Sequence, residues 1–536
     1  MDIEPAQDVP QREPPSGTFL LEDKHSHDSG ELILHPTPTS DPNDPLNWSS
    51  GRKAVNFGTV CFYVLITFVF LDIQTVAFSQ YLAEFGWTFD TLNNAAAAAF
   101  VGLAIGCIAF IPLVHRYGRR PLYLFSLLLQ VACGVWNATL HTSAELMVCA
   151  VLSGLGGAIS ETIVQVTIAD LFFVHQHATM NGIFILMQST GAYLGPVAAG
   201  YIVVDMGWRW MWWMTAILTG ANLLFALFFF EETKFVPTLL GEGGTETADI
   251  ATRQESASLE DTKKLPTVTD ASSTRMNIYV QRKSYRQRLA FVTKTDTPIA
   301  HHFYQPFIVV FKIPAVAYVS LTYGLLLSLY SVIATVQAYY MIAPPYNFDA
   351  SQIGLLALAP FIGSAIGTVF GGWLNDKLSI WCAKRNGGVF EAETRLYLII
   401  PGIFLTVSGM LMFGLGLAYL EPWTVLAVGT GIYGAGFVVI SSAALTYLTD
   451  SYSDVIADAL VAVTFFRNAF SILIMFTITP WLNAMGIKNL FILLACVVFA
   501  ILALVFPMIV WGKKARYRTS DLLRELALKQ PGTREH

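Results

Sequence analysis

The stretch MQSTGAYLGPVAAGYI, Met187 to Ile202, is apolar enough to lie in lipid, yet it carries Gly191, Gly195, Pro196 and Gly200. Each of these weakens an ordinary water-soluble helix. Gly191, Gly195 and Ala199 are spaced four apart and share one helix face almost free of side chains, which another backbone can approach closely. Pro196 lacks the amide that would bond to the carbonyl of Ala192, so the helix bends there. A close contact beside a bend suits a rocking joint; simple helix packing is the competing account. The surroundings of the stretch have to decide between them.

Those surroundings are membrane-like. Of the 536 residues, 54% are hydrophobic and 13% charged, against roughly 25% charged in a soluble globular protein. Apolar runs of about 20 residues, the length that crosses ~30 Å of hydrocarbon, recur twelve times, from about 55–78 to about 489–511. The sequence therefore divides into a tail 1–54, a six-helix bundle 55–230, a linker 231–313, a second six-helix bundle 314–511 and a tail 512–536. The expected fold is an all-α membrane protein of twelve transmembrane helices in two pseudo-symmetric bundles.

Lys and Arg are retained on the cytoplasmic side of a membrane. With the first tail inside, the inner segments hold 29 of the 32 Lys and Arg, leaving Arg209, Lys488 and the intramembrane Arg467. Both termini are expected in the cytoplasm and the chain in the plasma membrane, as a monomer. The first fifty residues are polar and Pro-rich and show no cleavable secretory signal. The net charge of −6 is spread over separate loops, which argues against nucleic acid as a partner. Of the six cysteines, Cys61, Cys107, Cys133, Cys149 and Cys496 fall in or beside spans and Cys382 in an inner loop, so they read as small buried hydrophobes. The linker, with GEGGTETADIATRQESASLEDTKK, has the composition of a disordered segment; its end, RKSYRQRLAFVTK, suits either an anionic inner leaflet or plain solvent.

The two halves repeat. Gly102 and Gly106 precede His115 at the intervals by which Gly363 and Gly367 precede Asp376, and Gly154, Gly156 and Asp170 match Gly434, Gly436 and Asp450. Gly363, Gly367 and Gly371 form a four-residue stripe like that of span five, so spans five and eight are expected to be partners across the halves.

Gly191-x-x-x-Gly195-Pro196-x-x-Ala199-Gly200 resembles the span-five motif of the major facilitator superfamily, in its twelve-span drug:proton antiporter branch. HRYGRRP, with Arg116, Gly118, Arg119 and Arg120, resembles that superfamily's loop between spans two and three, and GGWLNDK, with Asp376, its counterpart after span eight. DPNDPLNW, IADLFFVHQHATMNGI, PPYNF and YLTDSYSDVIADALVAVTFFRNAF look closest to a fungal subgroup of polyamine and histidinol permeases and metabolite exporters. The resemblance covers nearly all of residues 41–515 and implies spans one, four, seven and ten around a central cavity. Two departures stand out. Ile111 and His115 replace the family's usual Gly and Asp, and Ala150 stands where many proton antiporters have an arginine.

A charge at the bilayer centre costs at least ~2.5 to 3.5 kcal/mol, so each one needs a partner or a role. Glu161 lies roughly 22 Å along span four at 1.5 Å per residue. Burial disfavours its charged form, which suits it to load a proton or hold a cation; pairing with a neighbouring helix is the alternative. Arg467 sits near mid-membrane and cannot readily lose its proton, so it needs a carboxylate, carbonyls, water or an anionic substrate group. Asp72 is a third candidate for transport or proton coupling, although at about 25 Å from Val55 it reads as approaching the outer surface, where an aspartate is simply solvated. Tyr323, Tyr330, Gln337 and Tyr433 offer a cavity lining suited to an amphipathic organic molecule or, through cation–π contact, an amine.

Two signals carry little. His175-Gln176-His177 lacks acidic or Cys partners nearby and reads as a solvated loop rather than a metal site, so no metal and no cofactor are expected. Asn137-Ala-Thr139 fits a glycosylation triplet close to the membrane. No phosphate-binding loop of the G-x-x-x-x-G-K-[ST] type is present, which removes ATP as the driver, and no nucleophile, base and oxyanion arrangement marks an enzyme. The reading is a secondary transporter working by alternating access, coupled to protons and exporting a drug or secondary metabolite. Uptake of polyamine-like cations is the alternative within the class; a channel or a transporter-derived nutrient sensor are the alternatives outside it.

Overall fold

The computed structural model describes residues 18–20, 41–234, 284–292, 300–386, 389–452 and 456–528. A 3-10 turn, Pro45–Asn47, precedes the first span, and the Asp44 carboxylate caps it by accepting from Leu46 N–H. The first half follows as α1 (Ser50–Asp72), α2 (Phe89–Tyr117), α3 (Arg120–Ala138), α4 (Ser143–Leu171), α5 (Val174–Met206) and α6 (Trp208–Phe229). Thr88 and Thr142 side chains satisfy orphan N–H groups at the starts of α2 and α4. Gly118, at φ 100°, and Gly207, at φ 89°, turn the chain between spans in a conformation that favours glycine.

The second half comprises α7 (Pro314–Tyr340), α8 (Ala350–Arg385), α9 (Ile399–Ala418) and α10 (Trp423–Ser451). Asp349 and Gln352 form a capping box at the start of α8, and backbone and hydroxyl donors there hold the Asp349 carboxyl below the usual carboxylate range. A single helical run, Ile456–Leu502, then breaks at Gly486, with φ 71° and ψ 166°. Residues 456–485 are α11, and α12 begins at 487. Eleven continuous stretches are long and apolar enough to cross a membrane among the described residues, and the last of them holds this bend; the chain thus makes twelve passages. α12 resumes as Val505–Leu528, well past the expected end at 511. Arg516 on that extension is buried against Glu393, with Nε donating to Oε1 at 2.9 Å. Two three-residue strands, β1 (Thr18–Leu20) and β2 (Val389–Glu391), pair antiparallel, Thr18 opposite Glu391.

Most of the segment 231–313 lies outside the described residues, but its first four residues are packed. Glu231 pairs with Arg52, the Glu232 carboxylate accepts from the N–H groups of Arg119 and Arg120 at 2.9 and 3.1 Å, and Lys234 Nζ donates to His115 O at 2.6 Å. Together with 115–120, 376–386, 389–395 and the end of α12, these residues make up a basic face.

Each half is held by glycine contacts. A Cβ on Gly154 of α4 would overlap the Ala99 carbonyl of α2, and one on Gly363 of α8 would overlap the Gly431 carbonyl of α10, so the duplicated glycines seal equivalent pairs. The expected partnership of the α5 and α8 stripes needs correction. Gly191 and Gly195 face α1, where a Cβ at Gly195 would lie 3.1 Å from Val69, and Gly363, Gly367 and Gly371 face α10. α5 and α8 do meet, through other residues: Gly200 abuts Ala350 and Ser351, and Gly354 abuts Pro196 and Val197. The reason is angular. Gly200 is one residue beyond Ala199 and about 100° further round the helix, so α5 shows one small face to its own half and another to the opposite half.

Candidate functional site: a cavity between the halves

A cavity of about 570 Å³ lies between the two halves. Four elements already singled out contribute: Asp72 from α1, Glu161 from α4, Tyr323, Tyr330 and Gln337 from α7, and Tyr433 from α10. His115, Asn181, Thr449 and Asp458, at the basic ends of their helices, carry the cavity to the basic face. At the opposite face the halves are closed on each other. Besides the Gly200 and Gly354 contacts, the rings of Phe89 and Tyr339 stand 4.7 Å apart, and Asn93 Nδ2 of α2 donates to Met475 O of α11 at 2.6 Å.

Glu161 and Arg467 form an ion pair across the halves, with each side chain only 5% exposed. Asn468 Nδ2 donates to Glu161 Oε2 at 3.1 Å, and the Arg467 guanidinium lies 5.1 Å from the Tyr323 ring centre. The two charges that sequence reading treated separately are therefore partners. The attraction within a buried pair offsets its desolvation cost only if the remaining hydrogen-bonding groups are met; Asn468 meets one of them, while Arg467 Nε is buried with no acceptor among the described residues.

Asp72 departs from its expected place near the outer surface. α1 does not end the passage: the chain continues through a 3-10 segment, Ile73–Ala77, into a helix Phe78–Phe85 closed by Gly86. Asp72 is thereby held below the surface and lines the cavity. Among the described residues its carboxylate has no ion-pair or hydrogen-bond partner. Nearby, the Tyr193 ring stands edge-on to Tyr330 at 5.6 Å, and the Tyr193 hydroxyl bonds Ser364 Oγ of α8 at 3.2 Å. Tyr433 is tied down, its hydroxyl donating to Leu326 O at 2.6 Å.

Tyr193, Asn468 and Phe437, whose ring lines the cavity 6.1 Å from that of Tyr323, are not marked by the sequence. Tyr193 sits inside the opening stretch, and its neighbours Gly191 and Gly195 drew attention to packing; Asn468 adjoins Arg467, a position that an argument from charge passes over.

On the basic face, the loop residues form two equivalent clusters. Arg119 Nε lies 2.9 Å from Asp170 Oδ2, and Arg395 Nε donates to Asp450 Oδ2 at 3.0 Å while its other end meets Asp376. Arg120 Nη2 donates to Leu227 O at 2.7 Å, Gly118 gives room to the Glu232 carboxylate, and Arg116 stacks by Tyr117. Burial, and next the Arg119 guanidinium, push the Lys234 ammonium down to about 8. Asn137 is 3% exposed within α3. The side chains of His175 and His177 lie outside the described residues.

The family model for the Major Facilitator Superfamily matches residues 60–473. The chain belongs to that superfamily. An uncharacterized MFS-type transporter of Schizosaccharomyces pombe is 31% identical over 518 residues, covering 92% of this chain and 89% of the relative. Protein HOL1 of Saccharomyces cerevisiae is 28% identical over 555 residues, covering 94% and 93%. The partially occluded inward-open structure of the xylose transporter XylE from E. coli superposes with TM-score 0.54 at 15% identity, over 85% of this chain and 99% of that one, a likeness of fold. As a superfamily member this chain is a multi-pass membrane transporter of small molecules and not an enzyme.

Proposed function

We propose that this transporter exports an amine-bearing organic cation in exchange for protons, with the basic face in the cytoplasm and the plasma membrane as its site. One observation carries the reading: the Asp72 carboxylate faces a tyrosine-walled cavity with no ion-pair or hydrogen-bond partner among the described residues. A carboxylate in such a place needs a proton or a cation. Because one carboxylate holds one or the other, the two ligands displace each other, and exchange follows. Tyr193 and Tyr330 supply faces for a cation and for an apolar body. The positive-inside rule supports the orientation, and a cavity that reaches the basic face while the opposite face is sealed corresponds to the state that loads from the cytoplasm.

The test is flux of labelled spermidine in proteoliposomes under an imposed pH difference. Exchange predicts that the cation moves against the proton gradient and that Asp72→Asn abolishes the pH drive. Cation flow in the same direction as protons supports uptake instead, and flux that neither saturates nor shows counterflow means a channel.

A further inference from the structure

Before α7 the chain touches the two halves in turn. Residues 284–292 dock on the first half: the Tyr285 hydroxyl donates to Phe228 O and Arg120 Nη1 to Leu289 O, while Glu232 N–H donates to Arg288 O at 3.4 Å. Ala300–Lys312 then forms a 13-residue helix outside the twelve passages. One face of it is packed. Gln305, Val309 and Val310 are buried, and the Phe307 ring stands 5.2 Å from Phe465 and 6.1 Å from Phe466 of α11. Phe303, Pro306 and Phe307 also border a small crevice with Ile108 of α2 and Val461 of α11. The helix thus lies over the line where α2 of one half meets α11 of the other. At 1.5 Å per residue, Ile108 is about 13 Å from the basic end of α2, and Val461 about 8 Å from that of α11, which is a depth inside the leaflet.

The other face is largely exposed: Phe303 is 44%, Tyr304 54% and Phe311 78% exposed, although the Phe311 ring still reaches Phe466 edge-on at 5.8 Å. In sequence, residues 282–312 hold six basic side chains, Arg282, Lys283, Arg286, Arg288, Lys294 and Lys312, against one acid, Asp296. Exposed aromatics at this depth with basic flanks match the boundary between acyl chains and anionic headgroups. Water would leave three large rings unsatisfied, and α2 and α11 already occupy the packed side.

We infer that Ala300–Lys312 is a strap that seats its aromatic face in the anionic leaflet on the basic side and sets the separation of α2 and α11. The helix grips α11 through Phe307 and touches α2 through Ile108, so lipid that holds the strap opposes the basic ends of the two halves sliding apart. This inference needs a lipid rather than a substrate, and it stands or falls apart from the choice of transported solute.

Two measurements on the full chain test it, both without transport. With Cys382 and Cys496 replaced by Ser, nitroxides placed through Tyr304→Cys and Phe311→Cys in vesicles of phosphatidylcholine and phosphatidylserine should collide more with oxygen than with a water-soluble nickel chelate. A preference for the chelate overturns the seating. Nitroxides at Leu113→Cys of α2 and Leu460→Cys of α11 should shift to longer distances when Phe303, Tyr304 and Phe311 are all changed to Ser, and likewise when phosphatidylserine is omitted for the unaltered strap. A distribution that ignores both changes overturns the strap.

Discussion

Glu161 of α4 and Arg467 of α11 belong to opposite halves of the molecule, and their buried ion pair is a polar bond between those halves at cavity level. Removing one partner leaves an unpaired buried charge, a loss of about 3–5 kcal/mol in other proteins, whereas removing both is often close to neutral. Glu161→Gln and Arg467→Gln are each expected to lower the unfolding temperature in detergent, and the double variant to recover most of the loss. Equal or additive losses would mean that the pair is not the stabilising unit.

Asp72 stands in a different electrostatic setting, a carboxylate without a protein cation. Hydrogen bonds to charged groups contribute roughly 1.5–3 kcal/mol, so Asp72→Asn is expected to weaken organic cation binding by about 10- to 100-fold. The sign of the pH effect follows from charge. Lowering the pH adds a proton to Asp72 and weakens binding in the unaltered protein, while the Asn variant binds weakly at every pH. Equilibrium binding of labelled spermidine across pH checks both points; a variant with unchanged affinity removes Asp72 from the site.

Much of this arrangement was legible in the sequence because a charge inside an apolar run is an anomaly. Glu161 and Arg467 stood out for that reason, and the tyrosines of α7 and α10 stood out as polar handles on apolar helices. Their pairing was not legible, since nothing in a local period says which helix of the other half a side chain will meet. The depth of Asp72 was not legible, because the first apolar run ends at about 78 in sequence whereas the passage runs on through a 3-10 segment into the helix Phe78–Phe85. Similarly, the glycine spacing of α5 marks a contact face, yet spacing cannot tell that Gly191 meets α1 and Gly200 meets α8. The two basic-face clusters were half legible. Duplication aligned Asp170 with Asp450, and the arginines that pair with them, Arg119 and Arg395, follow loops of different length.

Gly200 and Gly354 close the face opposite the basic one, and no side chain fits between α5 and α8 there. Gly354→Val would press a branched side chain against the Pro196 carbonyl, and overpacking of this kind costs typically 1–3 kcal/mol. That cost falls on the state open to the basic face, so the population shifts toward the other state by about 5- to 150-fold. Gly182→Ala, with nothing within 4 Å of its added Cβ, is the matched control. Labelling of Thr75→Cys by a membrane-impermeant maleimide added from the face opposite the basic one should rise with Gly354→Val and stay level with Gly182→Ala. No rise would show that this seam does not set the equilibrium.

Lys234 ties the start of the inter-half segment to the end of α2 through His115 O, and its titration gives the fold a pH signature. Burial, followed by the Arg119 guanidinium, lowers its pKa from 10.5 to about 8. Between those values the unfolded chain keeps a proton that the folded chain has lost, so stability rises with pH across that window. Below about 8 both states are protonated, and the folded state bears the full cost of a charged amine in a half-buried place. The unfolding temperature of the unaltered protein, less that of Lys234→Met, is therefore expected to increase between about pH 7.5 and about pH 9.5, by on the order of 2 °C. Thermal scans at the two pH values measure it directly. A constant difference would mean that the ammonium is as well solvated in the fold as in the unfolded chain, and a falling one that its bond to the His115 carbonyl outweighs the cost of its burial.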